Sequence, residues 1–208
     1  MLDRFFLQDS RTIVGSRAMF WRAGGGYTSN LDQTEQFTRD QAVRHYESRD
    51  SDLPWPVEYI RPRAETGVDC QYLTRSEAEA ARGHDGRLYI AYARDWDGND
   101  LIWVGGRGPT SNLDDAIHPG AADAAGYLAQ GFELWPCSYI AERSRPVVRA
   151  ALLDYKQALR SVGLKLPKLT HPRHRSYNYR LNCDGCGRFI SERQRFDDCP
   201  SCGARNAP

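Results

Sequence analysis

The 208-residue chain carries 28 Lys and Arg against 27 Asp and Glu, a net charge of +1, and is 40% hydrophobic. That length supports one large domain or two to three small ones, and no apolar run approaches the ~20 residues that cross a bilayer. The opening Met1-Leu2-Asp3-Arg4-Phe5-Phe6-Leu7 has neither a long apolar region nor a small-residue cleavage site, so a soluble, cytoplasmic protein without membrane contact is expected. The charge is unevenly spread: residues 1–142 hold 14 Arg/Lys against 22 Asp/Glu, and residues 143–208 hold 14 against 5. A basic C-terminal third either binds a polyanion or docks on the acidic remainder.

In chain order, Phe5 to Gln8 and Ala18 to Arg22 are apolar runs separated by Gly15-Ser16 and read as two strands, after which Gly24-Gly25-Gly26 turns the chain before Tyr27-Thr28. Thr38 with Gln41 predicts a capping box, opening a helix with Ala42, Val43 and Tyr46 on one face that stops near Arg49. Trp55-Pro56-Val57-Glu58-Tyr59-Ile60 reads as a closing edge strand, because proline lacks the N–H a central strand needs. Thr74 to Arg82 predicts a short charged helix, ended by Gly83 and followed by a turn at His84-Asp85-Gly86. Leu88 to Tyr92 and Leu101 to Val104 are the next strands. The hydrophilic segment Arg94 to Asp100 between them forms a hairpin tip, in which Trp96 is a candidate anchor for a protein partner. Pro119 to Gln130 predicts a helix ended by Gly131. Ser144 as cap and Pro146 in the first turn predict a longer helix to Val162, with Val148, Leu152, Tyr155, Leu159 and Val162 as its apolar stripe. Leu164 to Arg175, with two prolines among basic residues, reads as a linker, and Ser176 to Asn182 alternates as a strand does.

Thr28-Ser29-Asn30-Leu31-Asp32 recurs 82 residues later as Thr110-Ser111-Asn112-Leu113-Asp114, and Trp55-Pro56-x-x-Tyr59-Ile60 recurs 80 residues later as Trp135-Pro136-x-x-Tyr139-Ile140. Upstream, Trp21 aligns with Trp103 and Phe5-Phe6-Leu7 with Leu88-Tyr89-Ile90. Matches in the same order predict an internal repeat. The expected fold is α+β: two tandem strand-strand-helix-strand repeats at 1–65 and 86–142, a linker with a short helix at 66–85, a connecting helix and basic linker at 143–175, and, where Cys183, Cys186, Cys199 and Cys202 form two Cys-x-x-Cys pairs, a small zinc ribbon at 176–208. Trp21, Trp55, Trp103 and Trp135 sit at repeated places and are expected to be buried in the cores.

The first unit, over about residues 4–46, resembles small phage- and prophage-encoded proteins. Their motif places Val-Gly, an aromatic-Trp pair, Gly-Tyr-Thr, Asn/Asp-Leu and Phe-Thr after an N-terminal strand. The matching residues are Val14-Gly15, Phe20-Trp21, Gly26-Tyr27-Thr28, Asn30-Leu31 and Phe37-Thr38. The resemblance implies a mobile-element origin and no particular activity. The second copy departs from the motif with Gly108-Pro109-Thr110 and Pro119-Gly120, so a binding surface built on Tyr27 or Phe37 would exist in one copy only.

Cys183-x-x-Cys186-Gly187 and Cys199-x-x-Cys202-Gly203 form two Cys-x-x-Cys pairs, each followed by glycine where the chain turns past the sulfur. This spacing predicts one structural Zn2+ held by Cys183, Cys186, Cys199 and Cys202, in preference to disulfide or redox chemistry. Cys70 and Cys137 are expected as reduced, partly buried thiols. Arg173, Arg175, Arg180 and Arg188, interleaved with Tyr177 and Tyr179, have the composition of a nucleic-acid surface, although a half-buried strand flanked by surface charge would read the same way. The glycine clusters lack the Lys-Ser/Thr of a phosphate loop, and Asp9-Ser10-Arg11, Cys70 and His84 assemble no nucleophile-base pair. These readings favour a non-enzymatic mobile-element accessory protein that binds a host protein or protein complex, in its sharpest form inhibiting a defence or gene-expression machine. The alternatives are a nucleic-acid-binding protein acting through the basic ribbon, and a hydrolase or nuclease with an unrecognised site.

Overall fold

The structure is a computed structural model that describes residues 3–81, 86–169, 181–183, 185–190, 194 and 197–205. They belong to two units, Met1–Lys168 and Leu169–Pro208. The first unit begins with the antiparallel hairpin of β1 (Arg4–Val14) and β2 (Arg17–Trp21), which turns at Gly15 with a left-handed φ of 59°. Short β3 (Tyr27–Thr28) extends the sheet beside β2, while β4 (Phe37–Thr38) pairs with the first residues of β1. Thr38 then caps α1 (Arg39–Ser48) as expected: its hydroxyl accepts the Gln41 N–H, and the Gln41 side chain accepts the Thr38 N–H. β5 (Asp52–Pro56) pairs along β1 from Phe5 to Asp9.

After Pro56 the chain departs from the expected strand. Val57–Ile60 is a helical turn, α2, and a helix buries Val57, Tyr59 and Ile60 on one side where a strand would send Ile60 to the opposite face. Apart from β4, which has no counterpart strand among the described residues, the second half runs through the same order of elements: β7 (Leu88–Asp97), β8 (Asp100–Gly105), β9 (Gly108–Thr110), α4 (Ala121–Ala129), β10 (Glu133–Pro136) and α5 (Cys137–Ala141). Its sheet order, β10-β7-β8-β9, retraces β5-β1-β2-β3. α4 ends before Gly131, which takes a φ of 88°.

Strand register changes which residues correspond. Phe20 pairs with Thr28 and Trp103 pairs with Thr110, so Trp103 occupies the place of Phe20, and Val104 that of Trp21. Phe20 and Trp103 are both fully buried, as are Trp55 and Trp135 nearly so, whereas Trp21 is only half-buried, contrary to the expected alignment and burial. Likewise the hairpin-closing pairs Val14–Arg17 and Asp97–Asp100 make Gly15 correspond to Gly98, Arg17 to Asp100 and Ile13 to Trp96.

The short helix expected from Thr74 is present, but the rest of its linker and the long helix expected from Ser144 are instead parts of two matching arms. One arm is β6 (Glu65–Val68), a 3-10 turn at Cys70–Tyr72 and α3 (Arg75–Ala81); the other is β11 (Ser144–Val147), a 3-10 turn at Ala150–Leu152 and α6 (Tyr155–Ser161). Residues 144–147 cannot start a helix because their backbone is engaged in pairing β11 antiparallel to β6, with Pro146 opposite Thr66. The helix begins only where the Asp154 side chain accepts the Gln157 N–H.

The arms are exchanged between the halves. Val148, Leu153, Tyr155 and Ala158 pack with Phe6, Phe20, Trp55 and Ile60 of the first half. Reciprocally, Val68, Leu73 and Ala78 pack with Trp103, Trp135 and Ile140 of the second. Backbone bonds repeat the relation: the Ala150 N–H donates to the Ser16 carbonyl at 2.9 Å, and the Cys70 N–H to the Asn99 carbonyl at 2.8 Å. On the opposite face of each sheet lie smaller clusters, Phe5, Leu7, Phe37 and Ala42 with Leu164 in one half, and Leu88, Ile90, Ala124 and Leu134 in the other. No described helix is long and apolar enough to cross a membrane.

Candidate metal centre and interaction surface

In the second unit, β12 (Leu181–Asn182) pairs with β13 (Phe189–Ile190), and each cysteine pair closes a knuckle of the same design. The Gly187 N–H donates to the Cys183 carbonyl and the Gly203 N–H to the Cys199 carbonyl, both at 2.8 Å. Gly187 and Gly203 take φ of 69° and 73°, the left-handed turn that a side chain would strain. The Gly185 N–H points at the Cys183 sulfur, 3.3 Å away. Cys183 and Cys202 sulfurs lie 3.6 Å apart, Cys186 and Cys199 sulfurs 3.7 Å, and all four fall within 4.8 Å of one another. A tetrahedral ion with bonds of about 2.3 Å to sulfur sets its ligands roughly 3.8 Å apart, so the four cysteines can bind a metal ion.

Charge makes the same point. Backbone N–H groups of Ser201 and Cys202 help hold the Cys199 thiol down to about 6. At Cys202 the N–H of Ala204 pulls the thiol down, but Cys186, burial and the other two sulfurs outweigh it and push it up to about 12. Four sulfurs this close cannot all ionise without a cation to offset their repulsion. With four protein ligands, no position is left for water or substrate.

Other sequence candidates are distributed differently. Arg173, Arg175, Tyr177, Tyr179 and Arg180 lie outside the described residues. Arg188 is exposed, and its carbonyl accepts the Cys183 N–H, which ties it to the first knuckle. Cys70 and Cys137 form no disulfide, and burial raises the Cys70 thiol above its ordinary range.

Trp96 stands at the hairpin end, and the structure shows what lies around it. The Gly15 and Gly98 turns abut: a Cβ on Gly15 would collide with Asp97 Oδ1 and the Gly98 nitrogen, and one on Gly98 with the Gly15 nitrogen. Ile13 and Trp96, at corresponding positions beside these turns, are 55% and 50% exposed. Tyr72 and Leu152, at corresponding positions in the 3-10 turns bonded to the same two hairpin ends, are 70% and 52% exposed. Four large side chains at the two hairpin ends and at the 3-10 turns bonded to them are therefore exposed, where most such residues would be buried.

Beneath it is an ionic junction that sequence reasoning missed. Arg17, 2% exposed at its side chain, places Nε 2.8 Å from Asp100 Oδ2 and Nη1 2.8 Å from Glu65, and its Nη2 donates to Ser111. Arg145 completes the group through Asp69 at 3.0 Å and Asp100 at 2.8 Å. The available signal was the opposite charge carried at the same hairpin position, Arg17 in Val14-Gly15-Ser16-Arg17 and Asp100 in Asp97-Gly98-Asn99-Asp100. No known protein family, curated protein or solved structure matches this chain.

Proposed function

We propose that the chain is a non-enzymatic binding protein of phage or mobile-element origin, which engages a host protein complex through the joined hairpin ends and carries one structural zinc ion. The observation that supports this reading is the exposure of Ile13, Trp96, Tyr72 and Leu152 at the hairpin ends and at the 3-10 turns bonded to them. Aromatic and large apolar side chains of this kind supply most of the energy in protein contacts. The origin rests on the motif resemblance over about residues 4–46.

Capture from host lysate after nuclease treatment tests the contact. A partner retained by the native chain should be lost at least about tenfold on Trp96→Ala combined with Ile13→Ser, in line with the effect of removing an interface anchor. A capture that disappears with nuclease would shift the reading to nucleic-acid binding by the basic ribbon.

The metal is assigned as zinc because four thiolates in a tetrahedral set favour it. Elemental analysis should find one equivalent per chain, and Cys183→Ser combined with Cys199→Ser should abolish it. Chelation should unfold the ribbon and leave the first unit intact; less than about half an equivalent in protein never exposed to chelator would sink the assignment.

A further inference from the structure

A groove of about 450 Å³ opens in the first unit, between the β3 region of the first half and residues 69–72 and 142–145. Tyr27 and Tyr72 stand on its walls, both exposed to solvent. The Tyr27 ring is held in place: Trp21 meets it edge-on at 6.0 Å, and its hydroxyl accepts from Arg49 Nη2 at 3.2 Å. Asn30, Gln33, Gln71 and Asn99 add amide groups, which both donate and accept.

The cations of the groove are unequal. Arg143 is engaged by Glu77 and Glu142, and Arg145 by Asp69 and Asp100. Arg22 lines the groove, is exposed, and has no carboxylate partner among the described residues. The ligand that uses this set has a flat ring for the tyrosine faces, edge donors and acceptors for the amides, and a negative charge for Arg22.

We propose that this groove binds a nucleotide, either as a free mononucleotide or as a base and phosphate of a single strand. The corresponding place in the second half is a groove of similar size lined by Gly105 to Thr110, Asp115 and Arg149. There Pro109 stands in for Tyr27, and the lining offers no aromatic ring. The proposal is therefore one site per chain, with a built-in control.

The test titrates the full-length protein by calorimetry, first with AMP, CMP, GMP and UMP, then with short oligothymidylate and oligouridylate. Saturable binding at one site per chain is expected. Tyr72→Ala should weaken it about tenfold, the usual loss of one base-aromatic stack, and Arg22→Gln should weaken it and flatten its salt dependence. Arg107→Gln, in the ring-free groove, should leave it unchanged. Tyr72 and Arg22 are exposed, and unchanged melting would show that both variants remain folded. Binding of the monophosphates identifies a free nucleotide as the source; binding of the oligonucleotides alone identifies a single strand. No saturation by any probe up to about 1 mM, or affinity unaltered by both Tyr72→Ala and Arg22→Gln, overturns the proposal. Tyr72 also belongs to the exposed surface of the host-partner reading, whereas Arg22 does not, so Arg22→Gln and the Trp96 and Ile13 substitutions keep the two tests distinguishable.

Discussion

A chain ending at Arg143 should lose the fold of its first half, although every strand of that half's sheet is still present. The truncation removes Val148, Leu153, Tyr155 and Ala158, which complete the cluster around Phe6, Phe20, Trp55 and Ile60. It also removes Leu159 and Leu164 from the cluster on the other face of the sheet. Burying each large apolar side chain contributes roughly 1.5–3 kcal/mol, so the combined loss approaches the about 5–15 kcal/mol that holds a typical domain together. Amide hydrogen exchange is the measurement. Protection in β1 from Phe5 to Asp9 should collapse, β7 should remain slower because the α3 arm that packs on its sheet is retained, and a 144–168 peptide added in trans should restore β1. Undiminished protection of β1 in the truncated chain would show that the exchanged arm is not needed.

Replacing Arg17 by Leu should cost about 3–5 kcal/mol, because it leaves the buried Asp100 carboxylate short of a partner. Asp100 is 1% exposed at its side chain and would keep only Arg145 of its two guanidinium partners. Burial already raises the Asp100 carboxyl above the ordinary carboxylate range, against the pull of Arg145 and Arg17. A carboxyl with a raised folded pKa binds more protons folded than unfolded, so its burden on stability falls as pH falls. Without Arg17 that pKa rises further. The deficit of Arg17→Leu should therefore be largest near about pH 7 and narrow towards about pH 5, and adding Asp100→Asn should recover part of it at about pH 7. Denaturant melts of the native chain and the two variants across this range are decisive. A deficit below about 1 kcal/mol, the size of a surface pair, or one insensitive to pH, would exclude a buried junction.

Local chemistry was legible without the structure wherever it is carried by near neighbours in the chain. The Thr38–Gln41 capping box, the glycine turns at Gly15 and Gly131 and the two cysteine knuckles each depend on residues within a few positions of one another. Even the metal set needs only one short hairpin to bring its halves together. The repeated Thr-Ser-Asn-Leu-Asp and Trp-Pro motifs likewise announced that the second half would run through the same elements as the first.

What the letters could not decide is which half each arm belongs to. Val148, Leu152, Tyr155, Leu159 and Val162 have helical spacing, yet residues 144–147 form a strand because β6, some 80 positions earlier, offers a pairing edge. Long-range backbone pairing overrode local helix propensity there, and the same exchange put Val68 and Val148 in each other's cores. Strand register, set by which backbone groups meet across the hairpins, equated Trp103 with Phe20 and Arg17 with Asp100, correspondences that identity in the sequence conceals. Cysteine spacing alone thus determined the metal-binding set, while the exposed junction, the buried ions and the tyrosine-walled groove exist only because tertiary structure crosses the two halves over each other.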